Sequence, residues 1–419
     1  MSRLFGGEEP SVEFVAGSLI AGVFFGGVGA GVAFPTLPTL GPILGISPFL
    51  VGLILSTNRF TRLVMNTPAG QVLDTLGTRR PMIAGFLVQG VAPFGYVLGL
   101  DPGPVPLDSA AVFLLARACW GVGSAFVFVG AFSTITHVTT AENRGKWVGY
   151  MRGGQSLGFP AGLVVGGLVT DAFGYATAFV VAGCAGLFAA LVAASVLPDV
   201  RTDVSAASSL REVPRLVAAD ARIFTVGAVN FTVRFLFAGV LLSTAVLYAA
   251  AYDITVGALS ETGVSGVVMA VGVVASSVTT LVVGRYSDRL SNRAALTLPA
   301  LGVLAAGYAL LAFVPTLPSA LTGVALVGVG GSNPPLLAYL GDLSPADDVG
   351  KLGGVYNVFG DLGSTLGPLV ALPLASAVGV AGEYLLCVGV VAVTVAVVLL
   401  TLDGDPAPLQ QPDVLPGDD

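Results

Sequence analysis

The stretch GQVLDTLGTRR (Gly70 to Arg80) returns in the second half of the chain as GRYSDRLSNRA (Gly284 to Ala294). Gly70 matches Gly284, Asp74 matches Asp288 and Arg79 matches Arg293. Each copy is a polar break that follows a long apolar run. A second pair lies further out: RGKWVGY (Arg144 to Tyr150) is answered by VGKLGGV (Val349 to Val355), so Gly145 and Lys146 match Gly350 and Lys351. Polar turns with the same glycine, acid and base at the same offsets indicate two parallel repeats of about half the chain each.

The runs between these breaks identify the solvent. Of 419 residues, 54% are hydrophobic and 10% charged, and the mean hydropathy is +0.89. A bilayer-crossing helix needs about 20 mainly apolar residues at 1.5 Å each. Windows of that size predict twelve spans: 14–35, 49–69, 81–100, 109–136, 146–168, 176–197, 223–248, 262–283, 294–313, 319–340, 351–375 and 384–401. A membrane barrel would instead show strands of about ten alternating residues separated by turns. The first run is too long for a signal-peptide core and is read as a retained span. Cys119, Cys184 and Cys387 all fall within spans, which gives neither a disulfide pattern nor a metal-ligand spacing.

Charge placement orients the spans. With the N-terminus inside, the outer loops (36–48, 101–108, 169–175, 249–261, 314–318 and 376–383) contain no Lys or Arg. They carry acids only, among them Asp101, Asp108, Asp171, Asp253, Glu261 and Glu383. The inner segments hold Arg3, Arg79, Arg80, Arg144, Lys146, Arg201, Arg211, Arg215, Arg222, Arg285, Arg289, Arg293 and Lys351. By the positive-inside rule both termini are expected in the cytoplasm, and an odd number of spans would break the pattern.

The expected organisation is an N-terminal six-helix bundle over 1–197, a cytoplasmic linker over 198–221, a C-terminal six-helix bundle over 222–402 and an acidic tail over 403–419. The linker ends in a short amphipathic stretch with Leu210, Val213, Leu216 and Val217 on one side. The tail is Pro-rich, without apolar periodicity, and is expected to be disordered. The net charge of −7 comes from termini and loops, so nucleic-acid binding has no footprint. The only histidine, His137, has no nucleophile or acid cluster around it in sequence, so an enzyme, a metal centre and a cofactor are not expected. Six spans, a linker and six more in parallel repeat is a transporter plan, with the solute site between the halves near mid-membrane.

At this point the chain resembles the major facilitator superfamily over nearly its whole length. GQVLDTLGTRR is similar to that superfamily's Gly-x-x-x-Asp-x-x-Gly-x-Arg-Arg loop between spans two and three, with Gly70, Asp74, Gly77, Arg79 and Arg80 in place. Thr75 stands where a base usually follows the acid; the second copy, Gly284, Asp288, Arg289 and Arg293, keeps one. The resemblance implies that Gly70 allows close helix packing. It also implies that Asp74 faces the positive start of span eleven, shutting the inner gate when the outside is open. RACWGVG (Arg117 to Gly123) resembles the superfamily's Arg-x-x-x-Gly-x-Gly element on span four. Gly354, Gly363, Gly367 and Pro368 resemble the glycine-proline motif of proton-coupled exporters, here on span eleven. Span five has the same glycine spacing (Gly145, Gly154, Gly158), with Pro160 one place late. Close helix packing alone also explains such glycines.

Charges inside the spans bear on mechanism. Arg59, Arg62, Arg117, Arg152, Arg234 and Asp361 would each cost about 2.5–3.5 kcal/mol at a helix centre facing lipid, so each is expected to face protein or water. At 100° per residue Arg59, Arg62 and Asn66 share a face of span two, and Asn230 and Arg234 one of span seven. On span eleven Asn357, Asp361, Ser364 and Thr365 share a face opposite Gly360, Gly363 and Gly367. In the superfamily's fold spans two and eleven lie side by side, which places Asp361 near Arg59 or Arg62. The arginines are read as lining a positive cavity. Asp361 is read first as an interdomain tie, then as a proton carrier, then as a solute contact. Trp120, Phe24 and Phe25 are read as packing, and His137 as interfacial.

The expected function is a secondary active transporter in the cell membrane, working as a monomer by rocking of two halves. Proton-coupled export of drugs or metabolites is one form. Uptake or exchange of organic anions through the arginine-rich cavity is the other, and a channel or polytopic enzyme is the outlying alternative.

Overall fold

The computed structural model describes residues 11–103, 105–140, 142–198, 200, 217, 220–332, 335–343 and 349–402, with side chains at all of these except 343 and 349–351. Most of the linker and the whole tail lie outside the described residues. Apart from an isolated pairing of Val256 with Leu259, the described residues are helices and turns. In chain order the helices are α1 (Val12–Leu44), α2 (Pro48–Leu76), α3 (Arg79–Leu100), α4 (Ser109–Val138), α5 (Arg144–Val196), α6 (Ala221–Arg234), a π segment (Phe235–Leu241), α7 (Leu242–Ala251), α8 (Glu261–Ser287), α9 (Thr297–Phe313), α10 (Leu317–Gly330), α11 (Leu336–Leu343) and α12 (Val349–Thr401).

Eight stretches are long and apolar enough to cross a membrane, and two of them, 144–196 and 352–401, contain about 50 residues. Each long one is two rods, broken where a glycine takes positive φ: Gly174 in α5 (φ 83°) and Gly379 in α12 (φ 76°). Packing shows that the chain reverses there. Met151, before Gly174, shares a core with Ala189, Ala193 and Leu197, after it, while Phe179 packs at the far end with Tyr96 and Phe113. Likewise Phe359 edges Phe224 at the start of α6, and Thr401 returns to bond Thr225 at 2.9 Å.

Two boundaries differ from the sequence reading. The first span does not stop at Pro35: α1 runs on to Leu44 with Pro35, Pro38 and Pro42 inside it and is capped by Gly45 at φ 67°. The prolines leave the carbonyls four residues before them, of Gly31, Phe34 and Pro38, without a helical N–H donor, while the Thr36 and Thr39 hydroxyls donate to the carbonyls of Val32 and Thr36. The tenth span is interrupted after Gly330 and resumes as α11.

The repeat foreseen in sequence is visible in the packing. In the first half the glycines of the first α5 rod lie on α1: a Cβ on Gly158 would overlap the Phe24 carbonyl, and one on Gly154 would come within 2.8 Å of Ile20 Cγ2. In the second half Gly363 and Gly367 of α12 lie the same way on Phe231 of α6 and Gly239 of the π segment. Pro160 is buried beside this seam.

The halves meet at the end of the bundle opposite the termini. There Leu163 and Gly167 of α5 touch Gly266 and Thr262 of α8, and Pro368 of α12 lies against Gly52 of α2. The Asp171 carboxylate accepts a hydrogen bond from the Ser260 N–H at 3.0 Å, and Ser56 Oγ donates to the Thr365 carbonyl at 2.5 Å. Toward the termini the same helix faces part. Arg152 and Ser156 precede Leu163 by eleven and seven residues, within about 20° of it around the helix, yet both are exposed. Gly284, on the α8 face that carries Gly266, would meet nothing within 4 Å of an added Cβ. The bundle encloses a vestibule that opens on the side of the termini and is sealed on the other.

Candidate functional site

The head of the vestibule is built by α2, the π segment and α12. Arg59 and Arg62 lie on one face of α2, as their spacing requires, and both point across the interface. Arg59 Nη1 donates to the Ala238 carbonyl at 3.0 Å and to the Ser364 carbonyl at 2.8 Å. Its guanidinium carbon is 5.3 Å from the centroid of the Phe34 ring. One turn nearer the termini, Arg62 Nη2 pairs with Asp361 Oδ1 at 3.4 Å and its guanidinium carbon is 5.3 Å from the Phe128 ring. The pair is partly open, with side-chain exposures of 24% and 30%. It is therefore reachable from the vestibule and not sealed in the protein.

Arg234, half-buried, completes the cluster: Arg59 lies within electrostatic range of Arg62, Arg117, Arg234 and Asp361. Asn230 holds the neighbouring backbone by donating Nδ2 to the Tyr356 carbonyl at 2.7 Å. A Cβ on Gly360 would come within 2.6 Å of that Nδ2, so this glycine seats span eleven against Asn230. Asn357, one turn toward the termini from Asp361, is exposed. Three arginines against one carboxylate give the vestibule head positive charge. The same pairings tie the halves together.

Arg117 does not line this cavity, contrary to the expectation from sequence. It is 1% exposed and its guanidinium is spent inside the first half. Nε donates to the Ile54 carbonyl at 3.2 Å, and Nη2 to the Leu55 carbonyl at 3.2 Å and Asn58 Oδ1 at 3.0 Å. Helical carbonyls have a spare lone pair, and the arginine fork uses those of α2 to fasten α4 to it. Arg152 does face the vestibule, near its mouth and away from the cluster.

The two copies of the polar loop differ. In the first, Gly77 ends α2 at φ 76°, Arg79 Nη2 donates to the Ala194 carbonyl at 2.9 Å, and the Thr78 N–H bonds the Val200 carbonyl at 2.8 Å. Gly70 is buried, Asp74 half-buried and Arg80 exposed. In the second, Arg293 pairs with Asp288 at 3.1 Å and with Asp342 of α11 at 2.9 Å, while Arg289 is exposed. Of the bonds named, those of Arg79 and Arg293 stay within their own half, and that of Thr78 reaches the linker. Gly350 and Lys351 have no described side chains; Gly354 is half-buried.

The remaining expectations concern packing. Trp120 is buried, Phe24 and Phe25 meet edge to face at 5.4 Å, and His137 is exposed at the end of α4. All three cysteines are free, and no metal-binding cluster exists among the described residues. Sequence reasoning missed three interdomain contacts: the Ser56 hydroxyl, the Asp171 carboxylate and the Arg59 bond to the π segment. It also treated Glu383 as a loop acid, whereas the residue is 1% exposed inside the second half.

The family model for the Major Facilitator Superfamily matches residues 19–368 and 263–416. The chain belongs to the Major Facilitator Superfamily. This superfamily chain is 23% identical over 359 residues to Multidrug resistance protein 2 of Bacillus subtilis (strain 168), covering 84% of this chain and 86% of that one. It is 24% identical to an uncharacterized MFS-type transporter of Methanocaldococcus jannaschii, over 85% and 90% of the two chains. In fold it is similar to a bacterial homologue of the human lysosomal transporter Spinster in an inward-facing, occupied conformation, with TM-score 0.76, 15% identity and 94% and 98% coverage. A D-xylose-proton symporter matches with TM-score 0.74, 15% identity and 96% and 99% coverage. The chain is a multi-pass membrane transporter for small solutes, and not an enzyme.

Proposed function

We propose that this transporter exports small amphipathic organic molecules that carry negative charge, by alternating access, with protons as the coupling ion and the termini in the cytoplasm. The observation that carries the reading is the vestibule head itself: Arg59, Arg62 and Arg234 face one acid, Asp361, beside the Phe34 and Phe128 rings. Guanidinium groups over aromatic faces suit an anion joined to an apolar body. The basic residues at the terminal end of the bundle, Arg79, Arg80, Arg144, Lys146, Arg222, Arg285, Arg289 and Arg293, support the orientation. In that orientation the open vestibule is the loading side of an exporter. The multidrug resistance name of a relative agrees with export, and the proton in the symporter's name agrees with the coupling ion.

In this mechanism Asp361 is a removable tie. An anionic solute that reaches Arg62 competes with Asp361 for its guanidinium, and release of the tie lets the halves rock. A thermal-shift screen of the purified protein tests the charge preference. Amphipathic anions are expected to raise the melting temperature and matched cations to leave it unchanged, with the shift lost in Arg62→Ala. Stabilisation by cations that survives Arg62→Ala would overturn the anion reading.

A further inference from the structure

Glu383 stands in the first turn after the break at Gly379, one turn from the exposed residues 376–379. It is 1% exposed, and among the described residues neither carboxyl oxygen has a hydrogen-bond partner. Tyr384 and Cys387 of its own helix and Tyr308 of α9 lie within electrostatic range of it, and among the described residues no charged side chain does. The Tyr308 hydroxyl is already committed, donating to the Leu236 carbonyl of the π segment at 2.8 Å. A helix start favours a carboxylate, but the side chain accepts none of the first-turn N–H groups. An uncompensated buried carboxylate is far more costly than the neutral acid, so the occupant this pocket accepts is a proton.

The helix that carries Glu383 is packed by α7. On one side α7 presses Leu242 and Ala245 against Phe34 and Leu163 of the first half. On the other it meets the helix of Glu383, through Thr244 Oγ1 at 3.2 Å from the Tyr384 hydroxyl and through the Tyr248 ring stacked 5.6 Å from the Tyr384 ring. The Tyr248 hydroxyl donates to the Leu311 carbonyl of α9 at 3.0 Å. The π segment precedes α7 directly, and such segments within α-helices mark points of functional adjustment. One element, α7, thus packs both on the first half and on Tyr384, the residue next to the carboxyl.

We propose that Glu383 is a proton-binding site on the helix against which α7 packs, and that it takes up one proton from the side opposite the termini as that side closes. The inference rests on alternating access as proposed above and is separate from the Arg62–Asp361 tie. Closure then binds a proton, the carboxylate becoming the neutral acid, so lowering the pH on that side favours the sealed form. With one linked proton the closed-to-open ratio changes by up to about tenfold per pH unit.

Double electron-electron resonance between spin labels at Phe173→Cys and Ala258→Cys, on opposite halves at the sealed end, reads this ratio; Cys119 and Cys184 are replaced by Ala. The closed population is expected to grow as pH falls from 9 to 6. In Glu383→Gln, a neutral isostere, it is expected to stay high at all pH. Glu383→Asp, which keeps a carboxyl, is expected to keep the pH dependence. A pH-independent distance in the otherwise unchanged protein would overturn the proposal, whether or not the Gln variant folds. An unchanged pH response in Glu383→Gln would overturn it equally. Neither result depends on solute transport, so loss of the carrier reading would register separately.

Discussion

Gly158→Leu is expected to leave no folded transporter. The seam between α1 and the first rod of α5 is a backbone-to-backbone contact, in which a Cβ at 158 would overlap the Phe24 carbonyl, and one at 162 the Val28 carbonyl. Inserting a methylene into a packed core costs about 1–3 kcal/mol when side chains can shift. Here the obstacle is a main-chain oxygen, and relief requires the helices to part. Close approach through small residues is what holds membrane helices together in the absence of a hydrophobic drive between them. Parting α1 from α5 would also take Phe34 away from the interface between the halves. Size-exclusion profiles of detergent-extracted protein measure the effect: aggregate or no protein for Gly158→Leu, and a monodisperse peak for Gly149→Leu, whose added Cβ meets nothing within 4 Å. A monodisperse, thermally unaltered Gly158→Leu protein would contradict the packing described.

Arg117→Ala is expected to fail for a different reason. Removing the guanidinium leaves the Ile54 and Leu55 carbonyls without their cross-helix donor and Asn58 Oδ1 without its partner. Hydrogen bonds to charged groups contribute about 1.5–3 kcal/mol each, and three are lost at one point of the α2–α4 contact. Lys is not a substitute, since one ammonium cannot reproduce a fork that reaches three acceptors. The expected readout is a much lower melting temperature with no change of solute preference in whatever protein survives. A well-folded Arg117→Ala protein with an altered preference would return this residue to the cavity.

These two residues also show what a sequence can and cannot convey. The glycine spacing of span five and its copy on span eleven was legible because close packing needs absence of side chain at a fixed helical period. The matching loops Gly70 to Arg80 and Gly284 to Ala294 made the two-fold repeat legible for the same kind of reason. Asp361 and Arg62 could be brought together once spans two and eleven were taken as neighbours, because charge in a membrane must find charge or water. Arg117 obeys the same rule by a route that leaves no trace in sequence: its partners are backbone carbonyls, which every residue has. Pro35, Pro38 and Pro42 suggested a loop, but the helix runs through all three to Leu44. The π segment between Arg234 and Leu242 has no sequence signal, being a matter of how tertiary contacts spread one extra residue per turn. Glu383 was assigned to a loop since an acid beside a turn usually meets water; its burial inside the second half could be seen only in three dimensions.

The central claim is a carrier with two alternately open sides, and entrance counterflow tests it most directly. Proteoliposomes preloaded with an unlabelled amphipathic anion that stabilises the protein should take up the labelled anion to a transient peak above equilibrium, at a rate that saturates with concentration. Uptake that rises in proportion to concentration, without a peak, would contradict it.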